Sequence, residues 1–351
     1  MSNVPQTVPE DHSPGTALET PARREEKLAR THSRSWRIMA SNVGWAIVAV
    51  FIASLVIFFA LHILPGDPAS ILGGTDATPE QIQRIRVKNG WDRPIIIQYL
   101  AWLGGVLTGN FGSSPFSGHS VTAELAQKLQ ITLPLALMAL VMAVILALLV
   151  GVFAAAHSRS VWGHVVSWLS QLGIAVPTFV LGLALVVLVA IPSGGAIPAT
   201  GFPRTGWADP GAALLSLLLP AITLAIPMGA GLTRFVRSAV LEQISQDHMR
   251  TALAQGTSWH RAVWAQALRN AWLPIIAVAA LDAAGLLMGT VVVEQVFALP
   301  GVGQSIVAAV SNRDIVTVQG FLMVLSTAII VIMLLANLLA RLLDPRVRIQ
   351  S

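Results

Sequence analysis

Cysteine is absent from this chain of 351 residues, and charge is scarce, at 11% against 54% apolar residues. The first absence excludes a disulfide framework, a thiolate metal site and a cysteine nucleophile. The second leaves about half the charge of an ordinary soluble domain. Together with a mean hydropathy of +0.70, it excludes a soluble enzyme and makes lipid the solvent for most of the chain. Lysine is rare too. Lys27, Lys88 and Lys128 follow Glu26, Val87 and Gln127, so no glycine-rich phosphate loop ending in Lys-Ser/Thr exists, and no P-loop ATPase is encoded here. No His-Glu-x-x-His occurs among the eight histidines, and His157 and His164, flanking a short turn, read as solvated side chains. These absences predict no catalytic residue, no metal site and no cofactor in the chain. The net charge of +5 lacks any basic stripe with interleaved aromatics, so no nucleic-acid partner is expected. No internal repeat is readable, which argues against the inverted repeats of many secondary transporters.

What is present is a set of six apolar runs, at 42–64, 131–156, 164–190, 212–233, 274–293 and 317–340. The first has 23 residues, about 35 Å as a helix, enough to cross a ~30 Å hydrocarbon core. It follows 41 residues and precedes no small-x-small cleavage site, so it reads as an uncleaved span and not a signal peptide. Placing both termini in the cytoplasm puts 15 Lys+Arg inside and 7 outside, as the positive-inside rule favours. The expected organisation is a cytoplasmic tail over 1–41, then a transmembrane domain over 42–351. That domain has an extracytoplasmic region at 65–130 and a cytoplasmic loop at 234–273.

The tail begins with Pro5, Pro9, Pro14 and Pro21 among polar residues, a composition that predicts disorder. Arg23 to Arg37 reads as a positive-inside anchor, with a short surface helix on anionic lipid as the alternative. In the outer region, Thr78-Pro79-Glu80-Gln81 has the form of a capping box and predicts a helix to about Lys88. Pro94 to Leu107 is amphipathic and too short to span. It should lie at the outer interface or form a lid, with Tyr99 and Trp102 at interfacial depth.

The inner loop 234–273 is too long for a simple connection. Asp247 can cap a helix through about Gln255, Gly256 can supply the left-handed turn that ends it, and Ser258 can cap the next. In the second helix Trp264 and Leu268 fall at i, i+4 beside Val263, with Arg261 and Arg269 at other angles. Spacing alone leaves two readings, a loop resting on the membrane surface or a docking site for a partner.

The residues in this loop resemble a known pattern. Asp247-His248-Met249-Arg250-Thr251-Ala252-Leu253-Ala254-Gln255-Gly256, then nine residues, then Gln266 to Ala271 and Leu273-Pro274, is similar to the EAA loop of binding-protein-dependent ABC importer permeases. More narrowly it resembles the dipeptide/oligopeptide/nickel permease family. Four other segments agree in order: Leu64-Pro65-Gly66-Asp67-Pro68, Trp91-Asp92-Arg93-Pro94 with Gln98-Tyr99-Leu100, Glu294 to Phe297 with Pro300-Gly301-x-Gly303, and Leu343-Asp344-Pro345-Arg346-Val347-Arg348. The set covers about Asn42 to Arg348.

The resemblance implies an all-α, polytopic type I importer permease fold with six transmembrane helices, in a bacterial or archaeal cytoplasmic membrane. It implies a second, homologous permease subunit, two ATP-binding cassette subunits or domains that bind ATP and Mg, and an extracytoplasmic solute-binding protein. The solute it implies is a di- or oligopeptide, with nickel or another small solute as the alternative. Its coupling positions, carried over, are Asp247, Arg250, Thr251, Ala252, Gly256 and Leu268. Arg250 and Thr251 stand where the general motif has Glu-Ala, a variation typical of the peptide branch.

Asp282 is the only acid inside a span, near the midplane of the fifth, where insertion costs ~2.5–3.5 kcal/mol. Ala279, Asp282, Gly285 and Gly289 fall close to one face, and the resemblance places that span beside the translocation path. Asp282 therefore either lines the path or bonds a partner permease, and Gly285-x-x-x-Gly289 serves close helix packing or the path. Pro177 and Pro227 should kink their helices, His62 should be interfacial, and Asp67 reads as a turn residue. A self-sufficient secondary transporter and a membrane-embedded enzyme are the other function classes. Co-purification with an ATPase separates the first, and the second would have only Asp282 for an intramembrane catalytic group.

Overall fold

The computed structural model describes residues 21–63 and 66–343, with side chains over 39–63 and 66–339. The Pro5 to Pro14 tail, Leu64-Pro65 and the terminal Asp344 to Arg348 motif lie outside the described residues. The architecture is all-α and polytopic, and no strand occurs among the described residues beyond an isolated bridge between Ser113 and Ser120. In chain order the helices are α1 (Pro21–Ile63), α2 (Pro68–Gly73), α3 (Pro79–Lys88), α4 (Ile95–Leu107), α5 (Val121–Ala156), α6 (Val161–Ala175) and α7 (Thr178–Leu185). They continue as α8 (Pro210–Ile244), α9 (Asp247–Ala254), α10 (Trp259–Ala262), α11 (Leu268–Val296), α12 (Val302–Ser311) and α13 (Ile315–Leu343).

Five stretches are long and apolar enough to cross a bilayer, and α6 with α7 makes a sixth if the pair counts as one span. The kink expected at Pro177 is present and is sharp enough to break the 164–190 span: the pair bends by 100° at Val176-Pro177. Proline disfavours helical backbone in the residue before it, and Val176 is extended at φ −77, ψ 122. Pro227, expected to kink its helix, lies with Pro220 inside the unbroken α8. Three spans begin earlier than their apolar runs. α1 is already helical from Pro21, and α5 starts at Val121 with Ser120 capping through Ala123 N. The fifth span runs unbroken from Trp259 to Val296, because α10 passes into α11 through a π-turn over Val263–Ala267.

The core of the bundle is the α5–α8 contact. Leu135, Ala139, Ala143 and Ala147 recur every fourth residue with no exposure, and Gly151 continues the row. A Cβ on Gly151 would lie 2.8 Å from Val236, and one on Gly229 would lie 2.9 Å from Leu146, so small residues let the two backbones approach. In the outer region the capping box forms as expected: Gln81 N donates to Thr78 Oγ1 at 3.3 Å and Thr78 N donates to Gln81 Oε1 at 2.8 Å. Tyr99 faces the protein interior. It is buried against Phe58 and Phe59, and its hydroxyl lies 2.9 Å from Ser54 Oγ, which ties α4 to α1. His62 stacks on Phe58 and is exposed.

Hydrogen bonds join the segments by end. At one end Trp207 Nε1 donates to Gln130 O and Gly201 N to Phe297 O. At the other, Trp259 Nε1 donates to Ala156 O, and the His157 and His260 rings meet edge to face.

Candidate functional site

The inner helix-turn-helix is built largely as its residues dictate. α9 ends in a Schellman arrangement: Thr257 N donates to Ala252 O, Gly256 N donates to Leu253 O, and Gly256 takes φ +85. Two details differ from expectation. Gln246 is the N-cap and Asp247 the first helical residue, and Ser258 starts the next helix without a side-chain capping bond. The carboxylate of Asp247 still complements the positive end of the α9 dipole.

α9 is held to the bundle by Met249, 1% exposed, which joins the cluster of Val236, Val240, Ala262, Val263 and Ala267, and Ala252 beside it is buried at 2% exposure. Its other face is open. Asp247, Arg250, Thr251 and Gly256 are exposed there, with the Asp247–Arg250 pair 3.4 Å apart and Thr251 Oγ1 donating to Asp247 O. Ala252 therefore anchors α9 instead of facing outward, and Leu268 is packed against the same cluster. The expected Trp264 and Leu268 stripe is displaced as well. The π-turn shifts the register, so Val263, Ala267 and Ala271 point inward while Trp264 is exposed.

On α11 the small-residue face divides. Gly289 packs on α8, where a Cβ would come 3.0 Å from Leu224, whereas a Cβ on exposed Gly285 would meet nothing within 4 Å. Asp282 is half-buried, with no hydrogen-bond or ion-pair partner among the described residues. Leu281, Gly285, Met288 and Val292 form an exposed line at i, i+4, i+7 and i+11 beside it. The bundle itself leaves this strip of α11 uncovered.

Sequence reasoning missed the clasp around Glu294. This carboxylate has no exposure, although it sits one turn from the end of α11. Thr132 Oγ1 donates to Oε1 at 2.7 Å, Gln304 N donates to Oε2 at 3.1 Å, and the Gly303 amide adds a third bond. Thr132 Oγ1 in turn accepts from Val302 N at 2.9 Å, so one acid and one hydroxyl close the first turn of α12. Gly301 and Gly303 are required by proximity: a Cβ on the former would lie 2.4 Å from the carboxylate, and one on the latter 2.4 Å from Val291 Cα. The acid followed by Gly-x-Gly was visible in the sequence, but Thr132, 162 positions away in the chain, was not.

Asp67 does more than form a turn. It caps α2 through Ala69 N and Ser70 N and pairs with Arg86 at 2.7 Å. Burial works to raise its carboxyl, but bonds from Ser70, Arg86 and Ala69, with the Arg86 charge, outweigh it and hold Asp67 below the usual carboxylate range. It lines a cavity of about 450 Å³ between α1, α4 and α13, with His62, Trp91, Trp102 and Gln319.

Among the described residues no group of three His, Asp or Glu could hold a metal ion. Residues 147–349 match the family described as "Binding-protein-dependent transport system inner membrane component", and residues 36–136 match its N-terminal companion. The chain is 35% identical to the "Probable peptide ABC transporter permease protein y4tP" of Sinorhizobium fredii, over 89% of this chain and 97% of that one. It is 33% identical to the "Dipeptide transport system permease protein DppB" of Escherichia coli strain K12, over 86% and 96%. A solved amino acid ABC transporter with histidines aligns at 18% identity and a TM-score of 0.44, covering 64% of this chain and 94% of that one.

Proposed function

The chain belongs to the family of binding-protein-dependent transport system inner membrane components, and from that premise we propose that it carries di- or oligopeptides inward as one permease half of an ABC importer. The names of the relatives support the solute class. ATP hydrolysis occurs on two separate cassette subunits, a second, similar permease completes the pore, and an extracytoplasmic binding protein delivers the peptide.

One observation carries the mechanical part of the reading. The helix that follows Gly256 is continuous with the fifth span from Trp259 to Val296, while α9 presents an exposed face beside it. A partner gripping Asp247, Arg250 and Thr251 would push, through Met249 and Ala252, on the cluster that holds the inner part of that span. The span is then a lever about 57 Å long, at 1.5 Å per residue. Its middle carries Asp282 and Gly285 on the strip that the bundle leaves uncovered. There the carboxylate would attract the amino terminus of a peptide, and Gly285 would leave room for its backbone.

Both termini lie in the cytoplasm in this reading, which places α9 on the side of the ATP-binding subunits. The chain has no native thiol, so single cysteines at Ser13, Ser117, Ser258 and Ser311 can be labelled without background. From outside intact cells only Ser117 and Ser311 should react, and equal reaction at Ser258 would overturn the orientation. The solute is tested in the reconstituted complex. Binding protein loaded with dipeptide should stimulate ATP hydrolysis; stimulation by nickel-loaded protein alone would reject the peptide assignment.

A further inference from the structure

Two arginines on α8 face a groove that nothing in the importer mechanism uses. Arg234 and Arg237 line a cavity of about 480 Å³ together with Ser167, Ser170 and Gln171 of α6, and no acid lines it. Arg237 is half-buried, and its Nε is closed off from solvent without a hydrogen-bond partner. Neither arginine has an ion pair among the described residues. Ser167 and Ser170 donate to Gly163 O and Val166 O, so the guanidinium N–H groups are the charged donors facing the groove, with Gln171, Thr233 and Ser238 as neutral polar neighbours. A guanidinium stays protonated at all physiological pH, and one held partly out of water without a counter-ion is costly. The groove therefore calls for an anion with several acceptor oxygens.

Depth identifies the anion. Arg234 follows the start of α8 by 24 residues, about 36 Å along a helix, which is just beyond a ~30 Å hydrocarbon core. On the other side of α6, Trp162, Trp168, Leu169 and Leu172 are 59–68% exposed, the profile of a helix meeting lipid with tryptophan at the border. We propose that the α6–α8 groove binds the phosphate of an anionic membrane lipid, gripped by Arg234 and Arg237 at the inner headgroup level. Such a lipid would wedge the first half of the broken span against α8, ten residues before α9 begins. The placement in the inner leaflet rests on the orientation proposed above, and the proposal does not depend on which solute is carried.

The test uses the transporter purified with its partner subunits. After exhaustive detergent washing, native mass spectrometry should find phosphatidylglycerol or another acidic phospholipid on the wild type. The double variant R234Q/R237Q should bind it about thirtyfold more weakly, roughly fivefold per arginine. Equal retention by both would overturn the proposal. If the variant fails to assemble, the wild type decides alone: melting in phosphatidylcholine vesicles should rise when phosphatidylglycerol is added, and no rise would reject the site. Inorganic phosphate giving the full rise without acidic lipid would show a free-anion site and also overturn the lipid assignment. So would a variant that keeps its lipid but loses transport of free-carboxylate peptides and not of amidated ones.

Discussion

Glu294 beside α12 and Asp247 at the start of α9 are both carboxylates beside a helix N-terminus, yet their surroundings are opposite. Glu294 has no exposure, and its oxygens meet Thr132 and the first amides of α12. The Asp247 side chain is 94% exposed, and its one charged neighbour, Arg250, is 79% exposed. A buried carboxylate costs several kcal/mol unless every oxygen is bonded, so the Glu294 end is a closed structural account. An exposed ion pair is worth ~0–1 kcal/mol, so folding gains little from the polar face of α9. The fold thus supplies its own partners at Glu294 and leaves the polar face of α9 without them, as the proposed docking of a second chain there requires.

The largest effect should come from opening the closed end. Glu294→Ala strands the Thr132 hydroxyl and the Gly303 and Gln304 amides, at ~1–3 kcal/mol for each group left unpaired. The purified complex should lose about 3 kcal/mol or more, read as a sharp drop in melting temperature. Gly303→Ala should do likewise by forcing the Val291 backbone away. Wild-type melting in both variants would mean that the clasp is incidental.

Next comes the open end, where the loss should fall on coupling and spare folding. Gly256 takes φ +85 and a Cβ there meets nothing within 4 Å, so Gly256→Val suffers backbone strain alone, about 1–2 kcal/mol, at the end of α9. The complex should assemble and melt near normal. Hydrolysis stimulated by loaded binding protein should fall roughly tenfold together with transport, the factor for ~1.4 kcal/mol of lost docking. Normal coupled transport would break the contrast between the two ends.

The same contrast explains what was legible in the sequence. The capping box at Thr78 and the glycine turn at 256 depend on residues a few positions apart, and both appear as read, as do the apolar centres of the spans. The clasp between Thr132 and Glu294 joins residues 162 positions apart and left only its local half, the Gly-x-Gly, in view. Helix ends misled because α5 and α8 continue as polar helices past their apolar runs, and the π-turn at Val263–Ala267 rotated Trp264 outward against a 3.6-residue period. Gly285-x-x-x-Gly289 drew attention as a packing motif, but the most extensive helix contact uses the Ala139-Ala143-Ala147-Gly151 row, which hides among ordinary alanines.

A smaller effect is expected at Asp282, which lies between the two ends and belongs with the open one. Asp282→Asn keeps the shape and removes the charge. Uptake of peptides with a free amino terminus should fall roughly fivefold, an interaction of about 1 kcal/mol, with complex assembly unchanged. Loss of assembly would instead make Asp282 a contact to the partner permease.

The smallest effect should be at Asp67, a carboxylate intermediate between Glu294 and Asp247. It is paired with Arg86 and caps α2, but its side chain is still 32% exposed, so water screens much of the interaction. Its carboxyl is held below the ordinary 3.8 in the folded protein. Unfolded chains therefore take up the proton first as the pH falls, and the stabilisation it contributes is full above about pH 4 and lost below it. Asp67→Asn should cost about 0.2–1 kcal/mol near neutral pH. Hydrogen exchange in α2 and α3 should show wild type and variant diverging at pH 6 and converging towards pH 3. Equal protection at both values would place Asp67 with Asp247, a surface charge the fold does not use. A variant that unfolds the outer region would place it with Glu294.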